Sequence, residues 1–155
     1  MYQKARILVV DDDKSIRIVF KVNLEGKGYI VHTAGTAREA IRKIGRIYFN
    51  IILIDIRLPD MEGNELLETI EEKYPRTVKL IITGFPTMKS AIEAANKGAD
   101  GYMVKPVNME ELISTIEKHR EKQRKTQKED ENKLHTFIDD RNRELKNQMK
   151  FYAPI

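Results

Sequence analysis

The fold is decided by residues 51–63, which read IILIDIRLPDMEG. Residues 51–54 are all apolar, so a strand formed there would be buried on both faces. Asp55 follows immediately, and Pro59 and Gly63 then mark a loop. A strand buried on both faces belongs at the centre of a parallel sheet that helices cover on each side. This stretch therefore predicts an α/β fold with a carboxylate at the carboxyl end of a central strand.

Four other β-rich runs flank this strand along the chain. Stretches in which apolar residues recur at helical spacing separate all five runs. Alternation of strand and helix is typical of a doubly wound parallel sheet, here five-stranded and flanked by five helices. The four runs are Ile7–Val10, Tyr29–Thr33, Lys79–Thr83 and Gly101–Val104.

Several polar residues are placed to cap the predicted helices. Asp13 precedes the first helix and Asn108 precedes the fifth, and both side chains can accept hydrogen bonds from free N–H groups. Thr36 precedes the second helix, and Glu39 lies three residues later, where it would complete a capping box.

Composition narrows the class of protein. The chain has no cysteine, which excludes disulfides and thiolate metal sites. No apolar run is long enough to span a bilayer, and residues 1–6 lack the apolar core of a signal peptide. We therefore expect a soluble cytoplasmic protein without a membrane partner.

The formal charge of +4 arises mainly near the carboxyl end. Residues 119–150 carry ten Lys or Arg against seven Asp or Glu, an excess of three. Mixed-sign charge along a helix is typical of a solvated face, so we do not expect nucleic-acid binding through this chain.

A change of composition near residue 118 divides the chain into a predicted domain, 1–118, and a charged helical tail or linker, 119–155. No Gly or Pro occurs between Val107 and Ala153, so the fifth helix can continue into the tail. Two interpretations stay open: an amphipathic helix or short coiled coil, and a partly frayed solvated helix. The first rests on apolar residues at helical spacing, Leu134, Phe137, Ile138, Leu145, Met149 and Tyr152.

Four predicted strands end in side chains with complementary chemistry: Asp11 and Asp12, then Asp55, Thr83 and Lys105. Carboxyl ends of parallel strands meet at one edge of a sheet, where ligands bind. Carboxylates brought together there need a cation, and oxygen ligands favour Mg²⁺. The central Asp55 is then a candidate nucleophile that can form an acyl phosphate. Lys105 and Thr83 would share the charge of a transferring phosphoryl group.

The chain closely resembles the CheY-like receiver domains of two-component response regulators, over about residues 4–118. The resemblance implies a flavodoxin-like fold with strand order 2-1-3-4-5. It is carried by four motifs in the family's order, Ile7–Asp12, Leu53–Gly63, Ile82–Gly84 and Gly98–Pro106.

The resemblance also implies roles for the residues at the strand ends. Asp55 would be the phosphoacceptor, and Mg²⁺ would be bound by Asp11, Asp12, Asp55 and the backbone carbonyl of Arg57. Lys105 would contact the phosphoryl group, and the bond from Lys105 to Pro106 would be cis.

Thr83 and Tyr102 match the family's switch pair. On phosphorylation Thr83 would turn toward the phosphoryl group and Tyr102 would rotate inward, which would remodel the surface formed by the fourth helix, fifth strand and fifth helix. The implied partners are a sensor histidine kinase or phosphotransfer protein and an unidentified output partner. A homodimer through the same surface or the tail is also expected.

The alternative is an enzyme, a Mg²⁺-dependent phosphohydrolase that works through a phosphoaspartate. Such enzymes also use Asp, Thr, Lys and an acidic metal site. Their nucleophile normally follows the first strand, with a second Asp two residues later. Here the best nucleophile follows the third strand, and Arg57 lies two residues later. We therefore expect a signalling domain and not an enzyme.

Overall fold

A computed structural model of the protein describes residues 4–151. Its sheet is parallel throughout, in the order β2-β1-β3-β4-β5, which confirms the predicted architecture. The strands are β1 (Arg6–Val10), β2 (Ile30–Ala34), β3 (Ile51–Ile54), β4 (Val78–Thr83) and β5 (Gly101–Val104). The helices are α1 (Lys14–Glu25), α2 (Ala37–Ile44), α3 (Gly63–Lys73), α4 (Met88–Asn96) and α5 (Met109–Phe151).

Three of the five strands differ from the predicted bounds, by one residue at each of four ends. The clearest case is β2, which begins at Ile30 and not at Tyr29. The N–H of Tyr29 donates to the carbonyl of Leu24 at the end of α1, whereas the N–H of Ile30 donates to Ala5 beside β1. Tyr29 therefore belongs to the turn that closes α1.

The central strand β3 separates two apolar cores, as its composition predicts. Ile52 and Ile54 pack with side chains of α2, α3 and α4 on one face of the sheet. Ile51 and Leu53 pack on the other face with side chains of α1 and the first turns of α5. Because all four side chains of β3 are buried, packing on both faces fixes the position of the strand and of its carboxyl end.

Two of the predicted caps form as expected. The Asp13 carboxylate accepts the N–H of Ser15 at 2.8 Å, and the Asn108 side chain accepts the N–H of Glu111 at 3.1 Å. Both bonds satisfy donors that a helix leaves free in its first turn.

The expected capping box at α2 does not form. Thr36 accepts the N–H of Glu39 at 3.1 Å, but the Glu39 carboxylate accepts the N–H of Gly35 and not that of Thr36. A residue distant in sequence completes the cap, because the Asp60 carboxylate accepts the first two N–H groups of α2 at 2.9 Å each. The loop after β3 is thereby fastened to α2.

The chain divides into two compact units, the first ending at Glu117 and the second beginning at Lys118. The second unit is helical as far as Phe151, so the predicted continuation of the fifth helix is confirmed, while Tyr152 lies outside the described residues. Within residues 4–151 we find no helix with the length and apolar character needed to cross a membrane. The apolar tail side chains Leu134, Phe137, Ile138, Leu145 and Met149 are exposed.

Candidate functional site: an acidic cleft at the carboxyl edge of the sheet

A cleft of about 370 Å³ opens at the carboxyl edge of the sheet. Strand register brings its acidic residues together, because Val10 of β1 pairs with Ile54 of β3 and the next residue of each strand is an aspartate. The N–H of Asp55 donates to the carbonyl of Val10 at 2.9 Å, which aligns the two chain segments. The cleft is lined by Asp11, Asp12, Asp13, Ile16, Asp55, Arg57, Gly84, Phe85 and Lys105.

Three carboxylates converge in this cleft. One oxygen from each of Asp11, Asp12 and Asp55 lies within 4.8 Å of the others. Asp11 is 3% exposed and Asp55 is 6% exposed, whereas Asp12 faces solvent. Oxygen ligands in a site with one open side suit a hard divalent cation that keeps some of its water. The donor set therefore fits Mg²⁺.

Lys105 places a positive charge beside the two buried aspartates of the cleft. Its ammonium lies 2.6 Å from Oδ2 of Asp11 and 3.1 Å from Oδ2 of Asp55. Its backbone N–H donates to the carbonyl of Thr83 at 2.8 Å, which ties it to the end of β4. The peptide bond to Pro106 is cis, as the resemblance implies.

Burial and charge act against each other on these groups. Burial raises the pKa of Asp11, although hydrogen bonds from Lys105 and from the N–H of Asp13 oppose that rise. Burial lowers the pKa of Lys105, but its hydrogen bonds to Asp11 and Asp55 outweigh burial and leave the pKa raised. The lysine therefore stays charged at neutral pH and compensates two buried carboxylates.

Hydrogen bonds from backbone and side-chain donors fix the two buried aspartates in place. Oδ1 of Asp11 accepts the N–H of Asp13 at 2.9 Å, and Oδ1 of Asp55 accepts the N–H of Arg57 at 3.2 Å. The Arg17 guanidinium donates to the carbonyl of Asp11 at 2.7 Å, a contact that the sequence analysis missed. Only the fold brings Arg17, on the first helix, back over the end of β1.

Gly63 is required by the close approach of α3 to the end of β3. A Cβ at this position would lie 2.3 Å from the carbonyl oxygen of Asp55 and 2.7 Å from Cα of Ile56. The N–H of Gly63 donates to the carbonyl of Ile56 at 2.6 Å. Any side chain here would displace the backbone that presents Asp55.

Thr83 and Tyr102 lie on the same face of the sheet. Tyr102 pairs with Ile81, two residues before Thr83, and side chains at that spacing share a face. The fully buried Thr83 hydroxyl accepts the N–H of Phe85 at 3.0 Å. The hydroxyl oxygen of Tyr102 lies 2.8 Å from Oγ of Ser90 in α4, another contact that the sequence analysis missed.

Arg57 and Phe85 stand together at the mouth of the cleft. The Arg57 guanidinium carbon lies 3.7 Å from the centroid of the Phe85 ring, a cation–π contact. Phe85 is 58% exposed, so this pair covers part of the cleft from the solvent side.

The fold and this cleft define a class of protein, the receiver domains of response regulators. The response regulator receiver domain family matches residues 7–117, and the chain belongs to that family. The match confirms the resemblance and the class of protein predicted from the sequence.

Curated relatives share this domain within longer chains. ZraR of Escherichia coli K12, a transcriptional regulatory protein, is 36% identical over 112 residues, which are 72% of this chain and 25% of that one. CtrA of Brucella ovis, a cell cycle response regulator, is 35% identical over 112 residues, 72% of this chain and 48% of that one. The chain thus spans between a quarter and a half of the length of these relatives.

Solved structures agree with the fold. A CheY-like receiver domain protein from Methanospirillum hungatei is 42% identical with a TM-score of 0.79, and the match covers 80% of this chain and 99% of that one. The BeF₃-activated DrrB receiver domain is 29% identical with a TM-score of 0.72, over 77% and 99% of the two chains.

Proposed function

We propose that this receiver domain accepts a phosphoryl group on Asp55 in a Mg²⁺-dependent reaction. The observation that carries the proposal is the convergence of three carboxylates and the Lys105 ammonium at one cleft. Asp11, Asp12, Asp55 and the backbone carbonyl of Arg57 would hold the ion. When bound, Mg²⁺ neutralises negative charge on the carboxylates and on the phosphoryl oxygens.

The cleft residues divide the work of phosphoryl transfer. An Asp55 carboxylate oxygen attacks phosphorus and forms the P–O bond, while the P–N bond to a donor histidine breaks and its electron pair returns to the imidazole. Lys105 lies 3.1 Å from Asp55, so its ammonium can move from a carboxylate oxygen to a phosphoryl oxygen. The Thr83 hydroxyl would leave the N–H of Phe85 to bond the phosphoryl group.

The proposed donor is a sensor histidine kinase or a phosphotransfer protein. An apolar groove of about 430 Å³ adjoins the cleft and shares Lys105 with it. The exposed face of α1 also carries the apolar side chains Ile18, Val19 and Val22. Apolar surface continuous with a reactive site suits a protein donor that must bury its own histidine at the cleft. The groove is lined by Ile16, Phe20, Lys105, Pro106 and Val107.

The proposed output is a change at the face formed by α4, β5 and α5. That face exposes Met88, Ile92 and Val104, which suits an output partner or a second copy of the chain. The proposed domain arrangement is a receiver in residues 1–118 followed by a helical tail that carries the signal or dimerises. We propose a signalling role without turnover of a small-molecule substrate.

Mass spectrometry after incubation with acetyl phosphate and Mg²⁺ tests the phosphoacceptor. We expect one added phosphoryl group on the wild type and none on Asp55→Asn. Asp13→Asn is the matched control, because it changes another aspartate of the same cleft and keeps the side-chain oxygen that caps α1. Phosphorylation of Asp55→Asn to the wild-type level would overturn the proposal. Asp55-dependent hydrolysis of a panel of phosphate monoesters would favour the phosphohydrolase instead.

A further inference from the structure

The hydroxyl of Ser90 lies at the centre of a small hydrogen-bond network. Ser90 is the third residue of α4, and Thr87 caps that helix. Thr87 Oγ1 accepts the N–H of Ser90 at 3.0 Å, and Ser90 Oγ accepts the N–H of Thr87 at 3.3 Å, which makes a reciprocal capping box. Ser90 Oγ also donates to the carbonyl of Thr87 at 3.1 Å. The fourth contact is the hydroxyl of Tyr102 at 2.8 Å.

The donor and acceptor capacity of serine fixes the direction of the Tyr102 contact. A serine hydroxyl has one hydrogen to donate and two lone pairs to accept. The hydrogen goes to the Thr87 carbonyl, and one lone pair accepts the Thr87 N–H. The remaining lone pair is therefore available to Tyr102, and all three contacts are satisfied together only if Tyr102 donates.

We infer that Ser90 is a positioning residue that holds the Tyr102 hydroxyl against the first turn of α4 in the unphosphorylated receiver. This inference rests on the proposed function, because it assigns a regulatory contact to the switch proposed there. The short loop 84–86 joins Thr83 to Thr87. It therefore connects the switch threonine at one end to the helix cap that bonds Ser90 at the other.

Two sets of hydrogen bonds fasten the ends of this loop. At one end the Thr83 hydroxyl accepts the N–H of Phe85, a bond lost when Thr83 turns to a phosphoryl group. At the other end Ser90 ties α4 to Tyr102 of β5. Movement of the loop changes the position of the Ser90 acceptor, and departure of Tyr102 removes this hydrogen bond between the first turn of α4 and β5. The rotation of Tyr102 and the position of α4 are therefore coupled through one oxygen atom.

The coupling predicts a specific response to a phosphoryl analogue. Ser90→Ala and Tyr102→Phe each remove the bond that favours the unphosphorylated conformation. With Mg²⁺ and the full chain, each should bind beryllofluoride about 2- to 10-fold more tightly than the wild type, the range expected for one net hydrogen bond. The double variant should gain no more than the stronger single variant, because both remove the same bond.

Two readouts separate this role from helix capping. Ser90→Thr keeps a hydroxyl and should restore wild-type affinity, whereas a capping defect alone would give the same change in affinity whether residue 102 is Tyr or Phe. Fluorine NMR of the chain labelled with 3-fluorotyrosine reports Tyr102 directly, and its resonance is assigned by its loss in Tyr102→Phe. We expect Ser90→Ala to shift that resonance before any ligand is added.

Additive effects in the double variant, or an unmoved Tyr102 resonance in Ser90→Ala, would overturn the inference. Failure of the proposed function gives a different result, because the wild type would then not bind beryllofluoride at all. The resonance of Tyr102 in Ser90→Ala tests the contact in that case as well.

Discussion

Replacing Lys105 by methionine tests the electrostatic balance of the cleft. The Lys105 ammonium contacts the carboxylates of both buried aspartates, Asp11 and Asp55. Methionine keeps most of the apolar stem and removes only the charge and its hydrogen bonds. The substitution therefore leaves two carboxylates that are 3% and 6% exposed without this compensating charge.

The expected cost follows from burial. Removing one partner of a fully buried ion pair costs about 3–5 kcal/mol, because the remaining charge is uncompensated. The Lys105 side chain is 19% exposed, and water reaches the cleft, so we expect about 2–3 kcal/mol here. Mg²⁺ at ten times its Kd adds about 1.4 kcal/mol to any chain that binds it. Without competition from the ammonium the variant should bind the ion more tightly, so Mg²⁺ should narrow the difference.

The effect of pH on the stability of the Lys105 variant can be predicted from the two shifted pKa values. The folded pKa of Asp11 is raised above 3.8, so its protonated form favours the fold, and that contribution is lost as pH rises through the folded pKa. The raised pKa of Lys105 acts at high pH, since its contribution is complete below 10.5 and is lost above that range. Loss of the lysine raises the pKa of Asp11 further. The difference in the free energy of unfolding between the wild type and the variant should therefore be smaller at pH 5 than at pH 8.

Urea unfolding followed by tyrosine fluorescence measures the difference, because Tyr29, Tyr48, Tyr74 and Tyr102 all lie in the first unit. The measurement is made in EDTA and again in Mg²⁺, at both pH values. Lys27→Met is the matched control, since that lysine is exposed. If the Lys105 variant in EDTA is as stable as the wild type, the contacts to the aspartates do not compensate their burial and the reasoning is refuted.

Three further predictions concern Gly63, the buried Lys79 and the tail. Gly63→Ala should cost about 1–3 kcal/mol and slow phosphorylation, whereas Gly45→Ala, whose Cβ would meet nothing closer than 3.5 Å, should be near neutral in the same urea assay. Lys79 is 1% exposed and bonded to Glu71 at 2.6 Å, so Glu71→Gln should cost about 1–2 kcal/mol and more than Lys79→Met, which leaves no buried charge. If the tail dimerises, deletion of residues 120–155 should lower the sedimentation coefficient by more than the lost mass of the tail explains. A chain that is monomeric both with and without the tail would contradict a tail-mediated homodimer.

The positions of the strands along the chain and the residues at their carboxyl ends could be predicted because both depend on local pattern, whereas the order of the strands in the sheet was implied by the resemblance. Apolar runs bounded by turn residues mark the strands, and parallel topology brings their ends to one edge. Asp11 and Asp55 accordingly lie together, and both carboxylates are within hydrogen-bond distance of Lys105. Asp13 was also predicted as a helix cap because capping needs only neighbours in sequence.

The contacts that were not predicted join residues of different structural elements. The sequence did not single out Asp60, yet its carboxylate caps α2, which begins 23 residues earlier. Lysine is a residue type usually found at the surface, but Lys79 is buried and pairs with Glu71. No local pattern distinguishes these residues, because their partners are chosen by the packing of helices on the sheet.

The sequence by itself determined the α/β class, the central buried strand and the acidic edge at Asp55, since each follows from residue type and spacing. Tertiary structure alone decided how Asp55 is supported: which oxygen Lys105 contacts, why Gly63 has no side chain, and where the hydroxyl of Tyr102 is bound. The physical reason is that hydrogen bonds and close contacts depend on distances of a few tenths of an ångström. Those distances are set only when the strands and helices that carry these residues have packed together.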